Sequence, residues 1–256
     1  MENRIDLPIA VIDSGVGGIS VLRELIKMMP EERFLYFGDS KNAPYGTKSR
    51  AEVLEITRNN LTALQKRGIK ALVVACNTAT SAAVRILREE NPKLPIVGIE
   101  PAVKPASELC ESPRVLVMAT PLTLKEEKFK NLVDRFAHKG EFIPLPCPGL
   151  ADLIEKGDVE GEEIEAYLKN LFAPYFDQHI DGIVLGCTHY PHIREIIDRV
   201  WCGKVAILDG GEGTAREARR RIVAADLLRH GEGEVEIVNT SSDEKMIEIS
   251  KKLLYR

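Results

Sequence analysis

Ala71-Leu72-Val73-Val74-Ala75-Cys76-Asn77-Thr78 and Gly182-Ile183-Val184-Leu185-Gly186-Cys187-Thr188-His189 share one plan. A short β-branched apolar run ends in a small residue, then a cysteine, then side chains that form hydrogen bonds, and a helix-like stretch follows. Such runs read as strands buried on both faces, the mark of a parallel sheet. Each cysteine is therefore expected at the carboxyl end of a strand, where ligands of such sheets bind. The two stand about 110 residues apart, which predicts one from each of two similar halves. Two thiols at equivalent places suit chemistry with mirror symmetry, one base on each face of a substrate.

Outward from these stretches, strand-like and helix-like segments alternate. Residues 8–13 predict a strand. Residues 19–29, with Leu22, Leu25, Ile26 and Met29 at helical spacing, predict a helix that Pro30 stops. Residues 33–37 are a second strand. Ser49-Arg50-Ala51-Glu52 has the Ser-x-x-Glu form of a capping box and opens a helix running to Gly68. Strand 71–75 and a helix ending at Asn91-Pro92 precede a fourth strand at 96–99. The pattern then restarts with strand 114–118, helix 122–138, strand 141–145, helix 162–178 and strand 183–185. Strands 205–208 and 234–238 and helices 214–228 and 243–254 complete it. This alternation predicts an α/β fold with parallel sheets flanked by helices. The restart predicts two domains, 1–97 plus 209–256 on the Cys76 side and 98–208 on the Cys187 side.

Composition narrows the function classes. Hydrophobic residues make up 44% of the chain, enough for a full core. No stretch approaches the roughly 20 apolar residues of a membrane span. Met1-Glu2-Asn3-Arg4-Ile5-Asp6 lacks the apolar segment of a signal peptide, so a cytoplasmic protein is expected. Acidic residues number 39 against 35 basic, a net charge of −4, which gives no electrostatic reason to expect nucleic acid. The basic run from Arg216 to Arg221 includes Glu217 and Ala218 and reads as a solvated helix face. Five cysteines, Cys76, Cys110, Cys147, Cys187 and Cys202, are an odd number without a secretory context, which argues against a disulfide framework. Cys187, His189, His192 and Cys202 come nearest to a metal site. They lack the CxxC-like knuckle of structural zinc, and no metal is expected.

Asp13-Ser14-Gly15-Val16-Gly17-Gly18 follows the first strand and opens a helix, a place suited to an anion. A dinucleotide fingerprint is the tempting alternative, with Asp39 after the second strand. Position 20 should then be glycine and is Ser20, and Asp13 would crowd a pyrophosphate. The simplest reading is a tight turn with Asp13 as N-cap. Gly38-Asp39-Ser40-Lys41-Asn42-Ala43-Pro44-Tyr45-Gly46 reads as a loop with a Pro-Tyr-Gly turn, or as a substrate-contacting loop at the strand ends. A lone buried cysteine is usually packing. Cys76 and Cys187 differ because Asn77 and Thr78, or Thr188 and His189, follow at once and can hold a carboxylate. A helix N-terminus also lowers a thiol pKa from about 8.5. Cys110, Cys147 and Cys202 lack such neighbours and read as structural. His189 can orient Cys187, act as an acid or cap the segment at Pro191. Glu155 reads as a solvated residue of a short helix.

Taken together and in this order, Asp13-Ser14-Gly15-Val16-Gly17-Gly18, Gly38-Asp39 with Pro44-Tyr45-Gly46, Ala75-Cys76-Asn77-Thr78-Ala79, Ala119-Thr120 with Thr123, and Gly186-Cys187-Thr188-His189-Tyr190-Pro191 make a specific set. Over nearly its whole length the chain resembles the glutamate racemases of the cofactor-independent aspartate/glutamate racemase superfamily. Cys-Thr-His favours glutamate racemases within it, since aspartate racemases usually carry Cys-Thr-Glu there. The resemblance implies two flavodoxin-like domains with the active site in the cleft between them and no cofactor. It implies Cys76 and Cys187 as the two bases, tuned by Asp13 and His189, with Glu155 as a further catalytic acid. Ser14, Pro44, Tyr45, Gly46, Asn77, Thr78, Thr120 and Thr188, with Asp13, Cys76 and His189, match substrate-binding positions. It further implies glutamate as substrate, a homodimer, and supply of D-glutamate for peptidoglycan. Glu100-Pro101-Ala102 and Pro121-Leu122-Thr123 match only approximately. Thr240-Ser241-Ser242-Asp243 replaces a stretch that usually carries Gly before Asp.

Residues and resemblance converge on a proton transfer in which one thiolate removes the α-proton and the other thiol returns one to the opposite face. Another enzyme on the same scaffold, an aspartate or hydantoin racemase or a decarboxylase, is the nearest alternative. Such decarboxylases keep only one of the cysteines. A non-catalytic sensor of a small acid is the other alternative, and it has no need of paired thiols.

Overall fold

In a computed structural model, which describes residues 4–157, 159–241 and 243–256, each expected apolar run forms a strand. Met1-Glu2-Asn3 and Ser242, which enter the sequence reading, lie outside the described residues. The chain divides into two compact units, Met1–Glu100 with Gly211–Arg256, and Pro101–Gly210.

The first unit opens with β1 (Ile9–Asp13), α1 (Ile19–Met28), β2 (Arg33–Gly38), α2 (Arg50–Arg67), β3 (Ala71–Val74), α3 (Asn77–Glu90) and β4 (Ile96–Gly98). All five residues of β1 and all four of β3 are buried, which is why, up to the terminal Asp13 of β1, these strands are continuous apolar runs rather than alternating ones. α2 starts at the expected capping box. The Ser49 hydroxyl accepts the Glu52 N–H while the Glu52 carboxylate accepts the Ser49 N–H, satisfying two donors at the helix start.

The second unit holds α4 (Val103–Ala106), β5 (Arg114–Ala119), α5 (Pro121–Lys125), α6 (Glu127–Phe136), β6 (Glu141–Pro146), α7 (Leu150–Glu155), α8 (Glu162–Phe172), β7 (Gly182–Leu185), α9 (Arg194–Val200) and β8 (Ala206–Asp209). Its core includes Val103, Val115, Val117, Phe129, Phe142 and Val184. Two helices differ from expectation. The helix expected over 122–138 is broken at Glu126, whose backbone is extended (φ −67°, ψ 137°), and no proline or glycine at 126 marks the break. The helix expected over 162–178 ends at Phe172, because Pro174 allows only a 3-10 turn, Ala173–Tyr175, beyond it.

The chain returns to the first unit with α10 (Gly211–Ala224), packed on α1, then β9 (Glu234–Asn239) and α11 (Lys245–Leu254). The sheet orders are β4-β3-β1-β2-β9 and β6-β5-β7-β8, with every pairing parallel. Without β9 the two sheets have the same winding. In each, the direction of winding reverses beside the first strand, and the crevice at that switch point is where ligands of such sheets bind. In the first unit, Asp13 and Cys76 sit at the ends of the strands flanking that point. In the second, Cys187 matches Cys76 and Ala119 matches Asp13, with Thr120 one residue beyond it at the place of Ser14. Among the described residues no helix is long and apolar enough to cross a membrane.

Candidate active site

Cys76 is the N-cap of α3. Its sulfur accepts the Ala79 N–H at 3.5 Å and lies 3.7 Å from the Ser14 hydroxyl, and the residue is buried. An N–H from the first turn of a 14-residue helix favours negative charge on that sulfur. Asp13 ends β1 and is buried. Its Oδ1 accepts the Gly15 N–H at 3.1 Å. α1 starts at Ile19 behind Gly18, with no side-chain cap, so the expected capping role of Asp13 is not the one observed. Gly18 makes the arrangement possible, since a Cβ there would lie 2.6 Å from the Asp13 Cβ and 3.0 Å from the Ala75 Cβ. Tyr36, fully buried in β2, donates its hydroxyl to the Gly15 carbonyl at 2.7 Å and so braces the glycine turn.

Asn77 is buried, and among the described residues neither its side-chain oxygen nor its nitrogen has a hydrogen-bond partner. An orphaned buried amide costs about 1–3 kcal/mol, so a ligand able to accept from the nitrogen and donate to the oxygen recovers that cost. Thr78 beside it is buried as well.

The Gly38–Gly46 loop is held by Asp39. The Tyr45 hydroxyl donates to Asp39 Oδ2 at 2.6 Å, and Asn60 Nδ2 donates to the same oxygen at 3.0 Å. Burial, and then the Asp39 carboxylate, push the Tyr45 phenol far above its ordinary range, so it stays a donor. Pro44 is exposed and Gly46 half-buried. The sequence alone did not disclose Asn60 or Thr240 as partners of Asp39. The one available signal is that Asn60 falls at helical spacing from the buried Val53, Thr57 and Leu64 of α2.

In the second unit Cys187 is buried at the end of β7, but its support differs from that of Cys76. No α-helix starts at Cys187; a 3-10 turn, Tyr190–Ile193, follows before α9. The sequence expectation of two alike helix starts is corrected here, because Pro191 initiates only a tight turn. His189 replaces the helix. Its Nδ1 lies 3.6 Å from the Cys187 sulfur and its Nε2 2.5 Å from Glu155 Oε1. It makes no side-chain cap to the turn that follows. Burial pulls the imidazole down, but the bonds to Cys187 and Glu155 outweigh it and raise His189 well above the usual histidine value. Glu155, the last residue of α7, is therefore an ion-pair partner and not the solvated residue expected. Thr188 is buried, and Thr120 caps α5 by accepting the Thr123 N–H.

Cys110 and Cys202 are exposed. Cys147 is buried, and burial pushes its thiol up to about 12. Among the described residues no three His, Cys, Asp or Glu side chains are grouped to hold a metal ion.

These two sets of residues lie within a region, residues 9–218, that matches the family model described as Asp/Glu/Hydantoin racemase. A glutamate racemase of Clostridium botulinum strain Kyoto is 52% identical over 250 residues, 97% of each chain. The crystal structure of the Francisella tularensis glutamate racemase in complex with D-glutamate superposes with a TM-score of 0.85 at 28% identity, covering 98% of this chain and 95% of the other. The Escherichia coli glutamate racemase, in complex with L-glutamate and the activator UDP-MurNAc-ala, has a TM-score of 0.85 at 29% identity, over 96% and 95%. Sequence, topology and the two buried thiols with their polar neighbours agree, and the chain belongs to the Asp/Glu/Hydantoin racemase family.

Proposed function

We propose that the protein is a glutamate racemase that interconverts L- and D-glutamate by two-base proton transfer. The observation that carries this reading is the pair of buried cysteines at matching strand ends of two like-wound sheets. Each cysteine serves one face of the substrate's α-carbon. One thiolate takes the α-proton and becomes a thiol. The electron pair stays on the substrate as a carbanion until the opposite thiol delivers its proton to the other face and becomes the thiolate. Asp13 and Ser14 serve Cys76, and His189, held by Glu155, serves Cys187. The substrate is held by Ser14, Pro44, Tyr45, Gly46, Asn77, Thr78, Thr120 and Thr188, among which the Asn77 amide stands ready for a polar partner. The α-proton is weakly acidic, so stabilisation falls to fixed dipoles in a site shielded from water. In the cell the enzyme acts in the cytoplasm as a homodimer and supplies D-glutamate for peptidoglycan.

Incubation of the purified protein with L-glutamate in D₂O tests the activity. Optical rotation decays to zero while the α-proton signal disappears. Loss of rotation with aspartate or a hydantoin, and none with glutamate, overturns the substrate assignment. Binding of glutamate with neither change makes the protein a sensor.

A pH prediction follows from His189. Its folded pKa is raised above the unfolded value near 6.5. Its contribution to stability is thus fully present below that value and is lost as pH rises through the folded pKa. Glu155→Gln removes one anionic partner and is expected to lower the His189 titration midpoint. The alkaline limb of racemase activity moves down with it. Imidazole ring signals followed by NMR from acid to alkaline pH check this, and an unmoved midpoint rules out the pairing.

A further inference from the structure

We infer that Thr240, contributed by the C-terminal return of the chain, is a positioning residue for substrate binding through its clasp on the Gly38–Gly46 loop. This rests on the reading of Pro44, Tyr45 and Gly46 as substrate contacts. β9 runs parallel to β2 with Asn239 opposite Gly38, and the Thr240 N–H donates to the Gly38 carbonyl at 2.9 Å. This register places the Thr240 side chain at Asp39. Its hydroxyl donates to Asp39 Oδ1 at 2.7 Å and accepts the Lys41 N–H at 3.1 Å. Next to it, Asn239 Nδ2 donates to the Ser40 hydroxyl at 2.9 Å. Three consecutive loop residues are thus gripped by two residues some 200 positions away in the chain.

Asp39 is fully buried, and among the described residues its hydrogen-bond donors are all neutral: Asn42, Tyr45, Asn60 and Thr240. A buried carboxylate without a cation depends on each such donor. Among these donors Thr240 is the one that reaches it from outside the local 39–60 segment. The hydroxyl must both donate and accept, which serine can do and valine cannot. Gly38 fits this geometry, since a Cβ there would lie 2.7 Å from the Gly15 carbonyl oxygen and 2.8 Å from Asn239 Nδ2.

Thr240→Val tests this, with Thr240→Ser as its companion. Thr240→Val is expected to raise KM for both glutamate enantiomers about tenfold with kcat within about twofold of the parent, the signature of lost binding and not of lost chemistry. Thr240→Ser restores the parent KM. Amide hydrogen exchange, read by mass spectrometry over residues 40–48, is faster in Thr240→Val and unchanged in the rest of the first unit. An unchanged KM, a fall in kcat at constant KM, a serine variant as impaired as valine, or exchange that accelerates throughout the unit would each overturn the inference. The parent protein is assayed first. If it does not turn over glutamate, the racemase reading falls, and the exchange measurement still decides whether the clasp exists.

Discussion

Replacing Cys76 or Cys187 by alanine is expected to lower glutamate racemisation by at least about 10³-fold, the scale of a lost general base. The effect is expected in both directions for either variant. The enantiomers have equal free energies, so kcat/KM must be the same both ways, and racemisation alone cannot tell the two cysteines apart. Elimination can. A glutamate carrying chloride on its β-carbon loses HCl when one base removes the α-proton, and the opposite thiol is not needed. Cys76→Ala is expected to eliminate chloride from one enantiomer only and Cys187→Ala from the other, each within about tenfold of the parent rate. Release of chloride and of the keto acid formed on hydrolysis of the product measures both. A single variant that keeps parental racemisation sinks the two-base scheme. Two variants that eliminate from the same enantiomer sink the assignment of one cysteine to each face.

The structure makes the two halves of that experiment unequal. Cys76 has an N–H of a long helix and the Ser14 hydroxyl, whereas Cys187 has an imidazole held by a carboxylate. A helix terminus keeps its partial charge at any pH, but an imidazolium is lost as pH rises. Elimination that depends on Cys187 should therefore fall away at high pH sooner than elimination that depends on Cys76.

That asymmetry was only half legible in the chain. Asn77-Thr78 and Thr188-His189 differ as neighbours, and sequence alone shows that much. The contact between His189 and Glu155, 34 positions apart, depends on where α7 ends relative to β7, and no local pattern encodes it. The strands were legible because parallel pairing buries both faces, so β3, β7 and β1 up to its terminal Asp13 are unbroken apolar runs. The break at Glu126 was not legible, since its residue type is compatible with helix and apolar spacing continues through it. The order of the strands was open too. Alternation implies parallel pairing, but it does not say that β9 returns to lie beside β2. The residues that position the Asp39 loop follow from that return, which is why Thr240 stood out at the sequence level only as a departure from a pattern.

The return also rests on a buried charge pair, and breaking it is expected to have the largest effect on stability. The side chains of Lys70, just before β3, and Glu32, just before β2, are 0% and 1% exposed, with Nζ 2.5 Å from Oε2. Lys70 Nζ also donates to the Ile5 carbonyl at 2.7 Å, and Glu32 Oε1 accepts the Arg229 N–H at 2.9 Å. The pair thus ties the N-terminal segment, two central strands and the stretch leading into β9. Lys70→Met leaves the Glu32 carboxylate buried without its cation and is expected to destabilise the protein by about 3–5 kcal/mol. That is a large part of the roughly 5–15 kcal/mol that holds a protein folded. Adding Glu32→Leu to it removes the stranded charge. An apolar pair of similar volume is often neutral to stability, so the double variant is expected to recover most of the loss, to within about 1–2 kcal/mol of the parent. Urea unfolding of the four proteins closes the cycle. If Lys70→Met lies within about 1 kcal/mol of the parent, the pair is not holding the unit together. If the double variant is as unstable as the single, the charge is not the cause. A parent-like double variant with normal KM would further show that the pair acts on the fold of the first unit and leaves the Asp39 loop in place, separating it from the part assigned to Thr240.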